Sequence, residues 1–468
     1  MSVSDHAFGR CRDMTEAPRS LEDKIHQSGG ALAMLRNAQH GYYQFPVLPP
    51  AYTSWMDEQR AWTTSAVLYD QSFHMFEVYI KGPDMLRVLS DITANNISTF
   101  DKNRGKQLIA CNYDGQLIGD AILFGLDDDE CVAVGTPLAL DWVRFQAEHG
   151  NYDVEIKRDD AIGFNKTGRR TLFRYQVQGP AALQIVEKAS GGTMPAIKFF
   201  RIGEFSIAGH AVRALNHTMI GTPGVEQTGL EIYGPSQYRE EVKDALLAAG
   251  AEFDLKLGGA QSYSTIGMVG GWIPLPLPAI YTGEQMRPYR QWLGADTPEA
   301  NMSLGGSFDS DNIEDYYVTP WDVGYGRVLK LDRDFIGAQA LRAGAERPHR
   351  QKVWLVWNDE DVTQAWSRSL FSDPPTKSFT FPTPIYSTFQ YDAVLHNDTV
   401  VGASTRINYT RDVGKVSSLA MLDEAIARDG TEVTVIWGEP NGGSPRPGVE
   451  RGHVQIPIRA TVSTAYPA

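Results

Sequence analysis

The side chains best equipped for chemistry in this sequence stand singly among apolar neighbours. Glu231 lies in "TGLEIYGP" between Leu230 and Ile232, and Gln176 lies in "RYQVQGP" between Tyr175 and Val177. A carboxylate and an amide so placed could hydrogen-bond a polar ligand, but strand alternation by itself assigns both to a solvent face. His74 in "YDQSFHMFEV" and Tyr263 in "QSYSTIG" carry groups that can move protons. Their default readings are a core histidine and a packing tyrosine.

The motifs of several other chemistries are missing. The ten histidines include no HxH or HExxH, and Cys11, Cys111 and Cys131 lie far apart, so no metal site is expected. "GFNKTGRR" at 163–170 copies the outer spacing of a phosphate loop but has Arg169 where a lysine is required. There is no GxSxG elbow, and no GxGxxG follows a strand; "GYGR" at 324–327 is no substitute.

One stretch is unusual for its rigidity. "GGWIPLPLPAIYTG" at 270–283 has prolines at 274, 276 and 278, Trp272 and Tyr281, and no charge. Alternate prolines exclude both a helix and a central strand, while the composition is that of an interior, so a stiff buried loop is expected.

The chain's 468 residues predict about two or three domains of ordinary size. Hydrophobic residues at 42% and charged residues at 21% suit a globular protein with a sizeable interior. A formal net charge of -14 disfavours nucleic acids and anionic membranes as partners, which leaves small molecules. Three cysteines give no disulfide framework and suit a reducing compartment. The polar start of the chain lacks the apolar core of a signal peptide, and apolar runs break well short of about 18 residues, so a cytoplasmic protein without a membrane span is expected. Nothing in the sequence calls for an obligate protein partner.

Elements recur in a repeated order. "HMFEVYIKG" alternates Phe76, Val78 and Ile80 on one face, and Met85, Leu86, Leu89 and Ile92 then follow at helical spacing. Two strands about an Asn112-Tyr113-Asp114-Gly115 turn, a strand at "CVAVG" and a helix at "LALDWVRFQAEHG" complete an α+β unit. The order returns with "RYQVQG", "PAALQIVEKASG", the hairpin "FSIAGHAVRAL", "GLEIYG" and "SQYREEVKDALLAAG", with Ser236 read as the cap of the last helix. This predicts an α+β fold, a duplicated ferredoxin-like region with a cleft at the junction. Strand-like pieces with few helical signals after residue 345 predict an all-β, barrel-like C-terminal domain. The expected divisions are a flexible extension over 1–28, the duplicated region over 29–344 and the barrel over 345–468.

Taken together, "TGLEIYGP", "NYDGQLIGDAILF" and "VGYGRVLKLDRDFIGAQAL" resemble the aminomethyltransferase family of the glycine cleavage system, which binds tetrahydrofolate. "AMLRNAQHGYY", "LYDQSFHMFEVYIKG", "GGWIPLPLPAIYTG", "YRQWL" and "GGSFDSDNIEDYYVTPWDVGYG" are similar to the tetrahydrofolate-dependent aryl O-demethylases of lignin-aromatic catabolism within it. The resemblance implies methyl transfer from a methoxyarene of the vanillate, syringate or 3-O-methylgallate class to N5 of tetrahydrofolate. It implies Tyr263 as the acid for the leaving oxygen and His74 as its active-site companion. Gln71, Tyr43 and Phe45 would lie on the substrate side, and Glu231, Gln176 and Trp272 would hold the pterin. A non-aromatic methyl donor and a non-catalytic folate-binding module are the alternatives.

Two departures from the family pattern carry expectations. Gly119 precedes Asp120 where glycine-cleavage enzymes have two acidic residues, which argues against ammonia release from an aminomethyl carrier. Thr136 stands where the vanillate-type enzymes have an arginine for the substrate's carboxylate. Either the carboxylate is held elsewhere or the substrate lacks one, and weaker discrimination between a methoxybenzoate and its uncharged analogue than in a vanillate-type enzyme is expected.

Overall fold

The computed structural model describes residues 17–41, 43–217, 229–443 and 452–467. Two β-sheets stand back to back. The first runs in the order Gly105–Cys111, Leu117–Asp127, Glu130–Gly135, Phe76–Lys81 and Glu155–Asp159, antiparallel throughout. The second runs Lys256–Gly258, Val67–Asp70, Leu172–Gln178, Gly229–Pro235, His210–Leu215 and Ile202–Ile207, with only its first pair parallel.

Each sheet has the expected ferredoxin-like centre. Phe76–Lys81 lies between Glu130–Gly135 and Glu155–Asp159, and Leu172–Gln178 lies between Gly229–Pro235 and Val67–Asp70. The halves interlock, because Val67–Asp70 precedes the first sheet in sequence and yet pairs in the second.

Burial follows from the layers. Helices Met85–Ile92 and Pro137–His149 cover one face of the first sheet, joining Val88, Leu89 and Leu140 to Val78 and Ile80. Helices Ala182–Ala189 and Arg239–Gly250 cover one face of the second, joining Val186, Val242 and Leu246 to Leu68, Val177 and Ile232. The other two faces meet through Phe124, Val132 and Val134 on one side and Ile202, Leu215 and Tyr233 on the other. The central strands Leu172–Gln178 and Gly229–Pro235 are buried on both faces along nearly their whole length, so the solvent reading of Glu231 and Gln176 is overturned: they are 5% and 0% exposed.

Two local expectations are corrected. Ser236 opens a short 3-10 turn, Ser236–Tyr238, and makes no side-chain cap to the helix that follows. The chain is also ordered well before residue 29. Ser20 Oγ accepts from Asp23 N at 3.1 Å, starting the helix Leu21–Gln27, and Leu21 is fully buried. Of the expected extension, residues 1–16 lie outside the described residues.

The C-terminal region is a closed antiparallel barrel of Gln351–Trp357, Lys415–Leu422, Thr399–Thr410, Asp392–His396, Glu432–Trp437 and Ile456–Ser463. Leu355, Val394, Val435 and Ile458 fill it, and Trp357 and Trp437 meet edge-on at 6.0 Å. Each such fully buried side chain stabilises the fold by about 1.5–3 kcal/mol. The helix Asp359–Phe371 was not legible in the sequence. It begins at Asn358, whose Oδ1 accepts from Glu360 N and Asp361 N, and it buries only Val362 and Ala365.

Among the described residues no helix is long and apolar enough to cross a membrane, and no three His, Cys, Asp or Glu side chains gather as a metal site would require. Cys111 and Cys131 are buried free thiols.

Candidate active site

A cavity of about 570 Å³ opens where the first sheet, the segment after residue 259 and the barrel meet. That volume suits one or two small planar ligands. Six of the nine residues singled out from the sequence line it: Tyr43, Phe45, His74, Thr136, Tyr263 and Trp272. The other three, Gln71, Gln176 and Glu231, do not.

Tyr263 is the best-supported polar group of the cavity. Its hydroxyl oxygen is 3.0 Å from His74 Nε2 and accepts from Gln71 Nε2 at 3.0 Å. Gln71 therefore backs Tyr263 and does not touch the cavity, which corrects its expected place on the substrate side. Phe45 meets both His74 and Tyr263 edge-on with ring centres 5.0 Å apart, and Tyr69 packs on Tyr263 at 5.2 Å. Burial pushes the Tyr263 hydroxyl well above the usual tyrosine pKa, against the opposing bond from Gln71. Burial also lowers His74 to about 4, so its imidazole is neutral at physiological pH. Tyr43 closes the cluster, its hydroxyl donating to His74 O at 3.4 Å and its pKa pushed by burial up to about 12.

The segment carrying Tyr263 is pinned by a carboxylate that sequence reasoning missed. Glu58, fully buried on the helix Trp55–Thr64, accepts from Gly259 N at 2.8 Å and Ser262 Oγ at 2.6 Å through Oε2, and from Tyr52 N at 2.7 Å through Oε1. Its neighbour Gln59 donates to Thr265 Oγ1 at 3.0 Å. Both sit in an amphipathic helix whose sequence reads as surface, and no local signal marks them.

The proline-rich stretch forms the expected stiff loop. Several of its backbone N–H groups are satisfied: Leu277 donates to Tyr391 OH, Ala279 to Leu117 O and Tyr281 to Tyr317 OH. Its first residues, Trp272, Pro274 and Leu275, wall the cavity. Trp272 is held in place by its Nε1–H, which donates to Asp120 Oδ2 at 3.0 Å. The same oxygen accepts from Gln107 Nε2 at 3.0 Å and Tyr325 OH at 2.8 Å. Burial raises the Asp120 pKa, and these three donors oppose it. The lone acid after the hairpin thus serves as an anchor for the aromatic wall.

Glu231 and Gln176 lie directly opposite each other on adjacent strands, and Gln176 lies opposite Tyr69 on the next. The row runs from the Tyr263 neighbourhood across the buried sheet face. Glu231 Oε1 accepts from Arg174 Nη1 at 2.8 Å, and Oε2 is 3.3 Å from His217 Nε2. Arg174 also bonds Glu77 Oε1 of the first sheet at 2.5 Å. Burial alone would raise the Glu231 pKa; His217 and Arg174 outweigh it and hold the carboxyl below its usual value. Gln176 Oε1 and Arg174 Nη2 are buried without a hydrogen-bond partner among the described residues. A pterin presents amino and ring N–H donors beside a carbonyl acceptor, and a carboxylate with lone pairs to spare, an orphan amide oxygen and an orphan guanidinium N–H fit that pattern.

Comparison with known proteins places this geometry in a family. The family model described as the GCVT N-terminal domain matches residues 25–273. The chain is 41% identical over 446 residues to the syringate O-demethylase of Sphingobium sp. (strain NBRC 103272 / SYK-6), covering 95% of each. It is 29% identical over 417 residues to the sesamin methylene transferase of Sinomonas sp. (strain No.22), covering 83% of this chain and 82% of that one. The crystal structure of glycine cleavage system aminomethyltransferase T from Bartonella henselae superposes with a TM-score of 0.60 at 15% identity, over 92% of this chain and 95% of that one, which speaks to the fold alone. Sheets, barrel and sequence agree: the chain belongs to the GCVT aminomethyltransferase family.

Proposed function

We propose that the protein is a tetrahydrofolate-dependent O-demethylase, moving the methyl group of a methoxyarene to the folate and releasing a phenol. The observation that carries this reading is the Tyr263 hydroxyl, backed by Gln71 and His74 and presented to a cavity walled by Trp272, Pro274 and Phe45. Tetrahydrofolate, when bound, supplies N5 as the methyl acceptor. Glu231 and Gln176 would hold its pterin, with Trp272 at the boundary between pterin and arene.

An aryl methyl ether is a poor electrophile because its leaving group is a phenolate. As the carbon–oxygen bond breaks, its electron pair stays on the arene oxygen, and Tyr263 donates its proton there. With His74 as the Nε2–H tautomer, His74 and Gln71 both donate to the Tyr263 oxygen, which aims the hydroxyl hydrogen at the cavity. The same two donors stabilise the negative charge that Tyr263 acquires as it gives up its proton. A positioned acid of this kind contributes about 10²–10⁴-fold. The stiff aromatic walls hold the ring at near-attack distance without being ordered on binding. A non-aromatic methyl donor would leave these ring faces unfilled.

The test is to incubate the protein with tetrahydrofolate and vanillate, syringate, 3-O-methylgallate or guaiacol, and to follow 5-methyltetrahydrofolate by chromatography. Formation with at least one arene supports the reading. No product with any of them, from protein that binds tetrahydrofolate, would favour a binding module.

A further inference from the structure

We infer that Arg406, reaching out of the C-terminal barrel, is the anion-binding residue that grips a carboxylate on the arene. This rests on the methoxyarene reading of the cavity and names the substrate class within it. Arg406 lines the cavity and is 8% exposed. It is the only lysine or arginine among the described lining residues. Of the other lining side chains, Asp296 and His40 are exposed, and His74 is neutral.

The backbone is built to deliver this side chain. Arg406 has φ of 52° inside the strand Thr399–Thr410, in the left-handed region that a non-glycine residue seldom occupies. The register jumps there: Thr405 pairs with Leu419 and Asn408 pairs with Ser417, so Arg406 and Ile407 together face one residue. A β-bulge of this form re-aims a side chain. Ile407 stays in the barrel core at 0% exposure, and Arg406 turns out of the barrel towards the cavity. Such strain persists where the surroundings hold it and clusters at functional sites.

Its anchorage sets the distance to the chemistry. Arg406 Nη2 donates to Ser264 O at 3.0 Å, the carbonyl one residue beyond Tyr263. The guanidinium is thus beside the main-chain end of Tyr263, and the reacting hydroxyl is at the far end of that side chain. An aromatic acid spans the same kind of distance, with its ether oxygen at Tyr263 and its carboxylate across the ring. In a mostly apolar cavity a carboxylate needs a cationic partner, and arginine supplies a forked one. This replaces the weak discrimination expected from Thr136 with a carboxylate held elsewhere.

The experiment measures binding of vanillate and of guaiacol, its decarboxylated counterpart, by calorimetry on the wild type and on Arg406→Gln. The wild type is expected to prefer the acid, and Arg406→Gln to lower the acid-to-phenol affinity ratio about tenfold or more. Arg406→Lys, which keeps the charge and loses the fork, should give an intermediate ratio and replaces Arg406→Gln if that variant does not fold. An unchanged ratio in the folded variant overturns the assignment. Methyl transfer is recorded on the same samples: transfer with an Arg406-independent ratio defeats the anion site alone. An Arg406-dependent ratio without transfer from any arene defeats the demethylase reading and leaves the anion site standing.

Discussion

His74 Nε2 lies 3.0 Å from the hydroxyl oxygen of Tyr263, with the two residues only 7% and 8% exposed. Burial keeps Tyr263 protonated and His74 neutral, so the pair is set for proton donation to a substrate oxygen. Replacing Tyr263 with Phe removes the proton and leaves the ring packing with Phe45 and Tyr69. Tyr263→Phe is expected to lower kcat by about 10²-fold or more with tetrahydrofolate affinity nearly intact. Steady-state kinetics with calorimetry checks both halves, and near-normal kcat would remove Tyr263 from the mechanism.

The same burial makes His74 a stability switch in acid. Its folded pKa of about 4 lies below the unfolded value of about 6.5, so between those pH values the unfolded chain binds the extra proton. Stability from this residue is complete above about pH 6.5 and is lost as pH falls towards 4, by at most about 3 kcal/mol. Urea unfolding at intervals from pH 7 to 4.5 should show a shallower loss in His74→Gln than in the wild type. Parallel curves would mean that His74 is already charged in the folded protein.

Glu231 is placed to meet a pterin with a carboxylate that Arg174 and His217 keep ionised. Glu231→Gln substitutes a neutral amide for a charge-assisted acceptor and is expected to weaken tetrahydrofolate binding by about 1.5–3 kcal/mol. Calorimetry giving unchanged affinity would confine Glu231 to holding Arg174.

Glu58 positions the acid from a distance. Its carboxylate gathers Gly259 N, Ser262 Oγ and Tyr52 N, all donors, so Glu58→Gln turns an NH₂ group against one of them. A stability loss of about 1–3 kcal/mol is expected. The accompanying fall in kcat should exceed any change in KM, because the turn carrying Tyr263 loosens while the cavity walls stay. Equal changes in kcat and KM would indicate general unfolding of the site.

Much of this site was legible from sequence, and the failures have physical causes. Pro274, Pro276 and Pro278 have one conformational meaning whatever surrounds them, so the stiff wall was readable. Periodicity alone points Glu231 and Gln176 to solvent, and only the family resemblance gives them a ligand, because alternation along a strand says that two faces differ, not that both are covered. Here a second sheet covers the face that would otherwise be wet, through Phe124 and Tyr233, whose rings meet at 5.4 Å. Glu58 and Arg406 were invisible because their importance comes from segments about 200 and 140 residues away in the chain, brought together only by the fold. The bulge at Arg406 leaves no glycine to mark it. The helix Asp359–Phe371 was missed because it buries so little that its pattern has no apolar stripe.

The most direct test of the account follows the methyl group itself. Vanillate carrying a ¹³C methoxy group is mixed with stoichiometric protein and tetrahydrofolate in a single turnover, and the products are read by NMR. The label is expected to appear as the N5-methyl of 5-methyltetrahydrofolate, one for each protocatechuate formed, with Tyr263→Phe slowing both signals together. Label recovered as methanol or formaldehyde, or demethylation that proceeds without tetrahydrofolate, would contradict it.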